Sequence, residues 1–320
     1  MKKFLIKLSI FILLTLIVFY STDVIITKGL KKNNSDMFID WNRIYAGKIN
    51  ADLIINGSSK AMSNISPMIL DTLLDVNSYN LGIDGHDFFM QKYKYDIYSN
   101  YNNSPNIIIQ IVSNGTLNKR NDLYDMAQFL PYLEDSIMQN VTEEYEGLSY
   151  LDYSIPLIRY FGYPTIAIKG ASSYFQVDVV QKSAKYKGYL SVDREWDSSF
   201  DDFVRLNPNG IILDITDVSL QLFKLFIKEQ KQKGVTIILV YPPTYIESQK
   251  YITNRNDIID TYRSIASENN LLFLDYSNLF ITKNKEFFYN SQHLNKKGTS
   301  LFTQILASDI KSLFSSEKQK

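Results

Sequence analysis

The chain of 320 residues carries 34 Lys+Arg against 34 Asp+Glu, and this balance leaves no electrostatic footprint for nucleic acid. It has no cysteine and 2 histidines, which excludes disulfides, a thiolate nucleophile and a cysteine zinc site and argues against a histidine-rich metal centre. At 45% hydrophobic residues it has ample material for a core.

The N-terminus opens with Lys2, Lys3 and Lys7, followed by an uncharged apolar run from Leu8 to Thr22 that resumes at Val24–Ile26 after Asp23. The run reads as an uncleaved signal anchor, residues 1–27, tilted or snorkelled to fit the bilayer. No small-x-small site follows it, since the flank is Phe-Tyr-Ser-Thr-Asp; a cleaved signal and a buried helix are the other readings. Lysines on the N-terminal side favour an orientation with the body, residues 28–320, outside the cytoplasm.

After a polar stretch (Lys31 to Asp36), strand-like apolar runs alternate with helix-like segments. ADLIING (51–57) reads as the first strand, VNSYNLG (76–82) as a weaker second and NIIIQIV (106–112) as a third buried on both faces. Between the first two, Pro67 opens a helix that Ser66 is placed to cap. GIILDI (210–215), VTIILVY (235–241) and LLFLDY (271–276) are further strands. Helical spacing fills 218–233, 245–269 and 297–314, the last with Asn295 as its cap. This alternation predicts an α/β fold with a central parallel sheet covered on both faces. From about residue 113 to 207 the rhythm breaks into a stretch rich in Tyr, Phe and acidic residues, read as an insertion.

Ligands of open parallel sheets bind beyond the carboxyl ends of the strands. The segments there are Gly57-Ser58-Ser59, then Gly82-Ile83-Asp84-Gly85-His86, then Ser113-Asn114-Gly115-Thr116, and finally Asn290 with His293. Serine, imidazole and hydrogen-bond donors are what acyl transfer requires: a base to take the hydroxyl proton, and N–H groups to hold the oxyanion.

These blocks resemble the SGNH (GDSL-type) hydrolase superfamily, above all its membrane-anchored bacterial branch that accompanies acyl modification of envelope polysaccharide or teichoic acid. The resemblance implies a three-layer α/β/α, flavodoxin-like fold behind one N-terminal transmembrane helix. It makes Ser59 the nucleophile, with Lys60-Ala61 where the branch commonly has Arg-Ala, and His293 the base. It makes the Ser59 and Gly85 N–H groups, with Asn114, the oxyanion hole, and Gly82 the fallback for Gly85. Asn290 stands where the D-x-x-H block has its aspartate, and no clean G-x-N-D block surrounds Asn114. The activity implied is that of an extracytoplasmic serine esterase or O-acyltransferase on acyl esters of a cell-surface polysaccharide. No metal or organic cofactor is implied, and a polytopic membrane acyltransferase is the implied partner.

Plainer readings stand beside these. Gly57-Ser58-Ser59 suits a strand-to-helix turn with a capping serine, and Ser113-Asn114-Gly115 an ordinary turn. His86 is a competing base or a structural residue. An amide at Asn290 orients an imidazole but carries no charge. Three outcomes are open: Asn290 serves a Ser59–His293 dyad; Asp84, Asp87 or Asp275 replaces the missing carboxylate in space; or the domain is a non-catalytic glycan-binding or scaffold protein.

Overall fold

The structure, a computed structural model, describes residues 1–177 and 183–317. In chain order the elements used below are helix α1 (Lys2–Leu30), strand β1 (Leu53–Asn56), helices α2 (Ser59–Asn64) and α3 (Pro67–Leu74), and strand β2 (Ser78–Asn80). They continue with α4 (Phe88–Tyr101), β3 (Ile107–Ile111), α5 (Pro164–Phe175), α6 (Asp217–Gln232), β4 (Thr236–Tyr241), α7 (Arg255–Glu268), β5 (Leu272–Asp275) and α8 (Lys296–Glu317). The chain divides into two compact units, Met1–Arg43 with Asn121–Ser183, and Ile44–Arg120 with Ala184–Lys320.

In the first unit, α1 is long and apolar enough to cross a membrane. Its apolar side chains are exposed from Phe4 to Tyr20, whereas Asp23, Ile26, Thr27, Gly29 and Leu30 are buried. The buried turns pack on α5 where two glycines meet: a Cβ on Gly29 would lie 1.7 Å from the Gly170 carbonyl oxygen. The lone acid of the apolar run, Asp23, has a structural purpose there. Its carboxylate accepts from Arg159 Nε at 3.0 Å and from the Leu157 N–H at 2.9 Å. Removing Arg159 would leave the buried Asp23 charge without its cation.

The second unit holds a five-stranded parallel sheet in the order β2-β1-β3-β4-β5. This is the flavodoxin-like order, and chain direction across the sheet reverses between β1 and β3. Registers such as Ile55 opposite Ile109, and Ile109 opposite Ile238, put like-facing side chains in rows. Because successive strand residues face opposite ways, Leu53, Ile55, Ile109, Ile111, Ile238 and Val240 point to one side. There they form one core with Ala61 of α2, Leu70 of α3 and Phe302, Leu306 and Ile310 of α8. The opposite side carries Ile54, Ile108 and Leu239, with Asn56 bonded to Gln110 at 2.8 Å and Gln110 to Gln91 of α4 at 3.3 Å. Phe88 of α4 meets Phe223 of α6 edge-on at 4.7 Å and closes that layer. The architecture is therefore α/β/α.

Five of the predicted strands form, but GIILDI does not. It contributes only a bridge from Ile211 to Ile252, and Ile212 is 70% exposed. Its backbone is committed elsewhere: the Ile211 N–H donates to the Tyr251 carbonyl and the Leu213 N–H to Asn254 Oδ1. The same pairing interrupts the helix expected over 245–269, leaving a short turn at Ile246–Gln249 ahead of α7. Ser66 precedes Pro67 at the start of α3, but its side chain makes no cap hydrogen bond. Asn295 does cap α8, accepting from the Gly298 N–H at 3.0 Å.

Gly57, between β1 and α2, has no room for a side chain. A Cβ there would lie 2.8 Å from the Ile111 Cβ and 2.9 Å from the Ala61 Cβ, atoms fixed by strand and helix. Gly57→Ala is expected to lower stability by about 2–4 kcal/mol, visible as a fall in thermal midpoint.

Candidate active site

At the C-terminal edge of the sheet, β1 delivers its chain into α2 through Ser58, whose Oγ accepts from the Lys60 N–H at 3.4 Å. The capping reading of this turn is therefore correct for Ser58. Ser59, one residue later, serves differently, because its Oγ lies 2.8 Å from His293 Nε2. The two residues are 234 apart in sequence and meet at the crevice where strand order reverses.

The far side of the imidazole fixes its proton. Asn290 Oδ1 accepts from the Gln292 N–H and the His293 N–H, each at 3.0 Å. Two backbone donors can only point at an amide oxygen, which sets the orientation of the Asn290 side chain. The ring atom Nδ1, 3.0 Å from the same oxygen, must then donate. Nε2 is left with its lone pair toward Ser59, the form a general base needs. Both ring nitrogens are engaged, so none of Asp84, Asp87 and Asp275 replaces the missing carboxylate. Asp87 caps α4 and accepts from the Arg120 N–H, while Asp275 accepts from the Ser277 N–H and lies 3.9 Å from Arg263.

The imidazole is also held in plane. The Tyr289 ring stacks on it at 5.4 Å with 6° between planes, and Arg194 lies 5.0 Å over the Tyr289 ring. Asn64 Oδ1, in the last turn of α2, accepts from the Leu294 N–H at 3.0 Å, and Thr299 Oγ1 donates to the Ser63 carbonyl at 2.8 Å. Helix α2 is thus stitched to the loop of His293 and to the start of α8. Burial pushes the imidazole down to about 3, the Lys60 ammonium adds to that fall, and Asp197 opposes it.

The cavity at this edge has a volume of about 510 Å³ and is lined by Ser59, His293, Asn290, Gly85, His86 and Asn114, among others. Gly85 turns through a positive φ of 69°, which favours glycine. Gly82 has another duty: its N–H donates to Asn80 Oδ1, and a Cβ would strike the Met62 N–H. Asn114 is fixed by the Tyr241 hydroxyl, which donates to its Oδ1, so the amide NH2 is the donor it has to offer. Asp84 is exposed beside Gly85; partial burial raises its carboxyl, and the neighbouring Gly85 and Ser59 act against that rise. His86 is buried in the wall and does not reach Ser59 in place of His293.

Sequence reasoning missed Asn64, Ser63 and Tyr289 as supports and Lys60 as a cavity wall. Only the last carried a signal, its position directly after the serine.

No protein-family model matches the chain, and no curated protein matches it. Among solved structures it is similar to a protein assigned to the lipolytic G-D-S-L family from Desulfitobacterium hafniense DCB-2. The identity is 11%, with 80% of this chain and 97% of that one covered, at a TM-score of 0.39. It is also similar to a protein assigned as an acylhydrolase from Bacteroides fragilis NCTC 9343, at 9% identity, 81% and 86% coverage and a TM-score of 0.36.

Proposed function

We propose that this chain is an SGNH-type serine esterase or O-acyltransferase, anchored by α1 with its body outside the cytoplasm. It acts on acyl esters of a cell-surface polysaccharide. The observation that carries this reading is the Ser59 Oγ to His293 Nε2 contact of 2.8 Å, in the tautomer that accepts a proton.

Ser59 attacks the ester carbonyl as His293 takes its proton. The Ser59 and Gly85 N–H groups and the Asn114 amide receive the oxyanion. The imidazolium then protonates the leaving alcohol, and water or a sugar hydroxyl resolves the acyl-serine with His293 again as base. Lys2, Lys3 and Lys7 ahead of the apolar run support the orientation. A single helix cannot pass an acyl group across a bilayer, so transfer would require a polytopic membrane acyltransferase as partner.

The full-length chain in detergent is expected to form a covalent adduct with a fluorophosphonate probe at Ser59, and to lose it in His293→Ala. Absence of both the adduct and acetyl-ester hydrolysis would overturn the enzyme reading and leave the non-catalytic glycan-binding one.

A further inference from the structure

One cation lines this site without an anion, and a second stands close enough to repel it. Lys60 lines the cavity beside Ser59 and is only 7% exposed. Its ammonium has no hydrogen bond and no carboxylate partner among the described residues. Arg255, at the start of α7, lies 5.8 Å over the Tyr241 ring. Its Nε and Nη2 are buried with no partner among the described residues. Burying one unpaired cation is costly, and burying a second close by adds repulsion to desolvation.

The carboxylates nearby do not relieve this. Asp87, the acid that lines the cavity, is held by the Met90 and Arg120 N–H groups. Asp84 is exposed, and the cation that acts on it is Lys185, not Lys60 or Arg255. Asp275 is taken up by the Ser277 N–H and Arg263. The lining adds a further cation, Arg120.

We infer that the part of the cavity lined by Lys60 binds an oxyacid group, a carboxylate or phosphate carried by the substrate, with Lys60 as its direct contact and Arg255 as its supporting charge. The acyl side or the acceptor side of the ester is then anionic. For its catalytic consequence, though not for binding, this rests on the esterase reading above.

The consequence follows from the same charges. Burial, with Arg255 adding, brings the Lys60 ammonium down to about 7, and its charge also disfavours a proton on His293. An anion seated on Lys60 cancels that field as the imidazolium forms. A charged substrate should therefore gain in kcat as well as in KM, which an ordinary docking lysine would not produce.

Binding is tested first, without catalysis, by titrating inorganic phosphate into full-length Ser59→Ala protein in detergent at constant ionic strength. Saturable binding is expected, weakened at least tenfold by adding Lys60→Met and retained with Lys60→Arg. Lys60→Met should also match or exceed the parent in thermal midpoint, because it removes a buried unpaired cation. If Lys60→Met does not fold, Arg255→Gln serves in its place and should weaken binding severalfold. No binding, or equal affinity in parent and variant, overturns the proposal. In the wild-type background, hydrolysis of a glutarate monoester against a butyrate ester reads the acyl side. Transfer to glucose 6-phosphate against glucose reads the acceptor side. The arm in which Lys60→Met lowers the charged-to-neutral ratio at least tenfold identifies which side bears the anion; an unchanged ratio in both arms overturns the substrate assignment. Phosphate binding through Lys60 in a protein that never hydrolyses an ester would overturn the esterase reading alone.

Discussion

Ser59→Ala is expected to lower ester turnover by about three orders of magnitude, well short of the roughly six that a complete serine triad loses. The shortfall comes from Asn290. A complete triad gives its histidine both the correct tautomer and a negative charge beside the imidazolium. Here the tautomer is secured, because the Gln292 and His293 N–H groups fix the Asn290 oxygen toward Nδ1. The charge is missing, and burial together with Lys60 opposes protonation of the ring further. What remains for Ser59 to contribute is nucleophilic attack assisted by a correctly aimed but weak base. The measurement is kcat for a neutral acetyl ester, in wild type and Ser59→Ala purified identically. A loss below tenfold would mean that Ser59 is not the nucleophile. A loss near six orders would mean that some other group supplies the charge.

The parts of this site that could be read from the sequence are those in which chemistry and local structure coincide. Ser59 follows a strand and a glycine, and His293 and Asn290 share one short loop, so the family resemblance of those two blocks points to them. The strands β3 and β4 were legible because their apolar runs are buried on both faces, as in Ile107–Ile111 and Thr236–Tyr241. GIILDI has the same composition but lies on the surface, its backbone paired with the 251–254 loop, and no periodicity reveals that. The supports were illegible for a related reason. Asn64 reaches Leu294 across 230 residues, and Asp23 finds Arg159 across 136, so each looks like an ordinary polar residue until the chain folds. The orientation of the Asn290 amide belongs to the same class: the residue type was plain, but which atom faces the ring is decided by two backbone N–H groups.

Asn290→Asp is expected to raise kcat/KM for a neutral ester by about three orders of magnitude and to create an acid limb that the natural protein lacks. The new carboxylate would accept from the same three donors that now converge on Asn290 Oδ1, so little rearrangement is needed. A negative charge about 4 Å from an imidazolium, at an effective dielectric constant of about 20, is worth about 4 kcal/mol. That equals about three orders of magnitude in rate and about three pH units in the basicity of the ring. In the natural protein His293 lies at about 3, so the base stays neutral between pH 7 and 5. With Lys60→Met removing the other charge that changes there, kcat/KM should not fall. In the variant the ring should titrate near 6, and kcat/KM should fall as pH drops through that value because the protonated imidazole cannot accept from Ser59. Lys60, at about 7, is the nearby cation that changes charge in this window, so the comparison is repeated with Lys60→Met in both backgrounds. If the rate and the profile are both unchanged in Asn290→Asp, the imidazolium is not where charge limits this site.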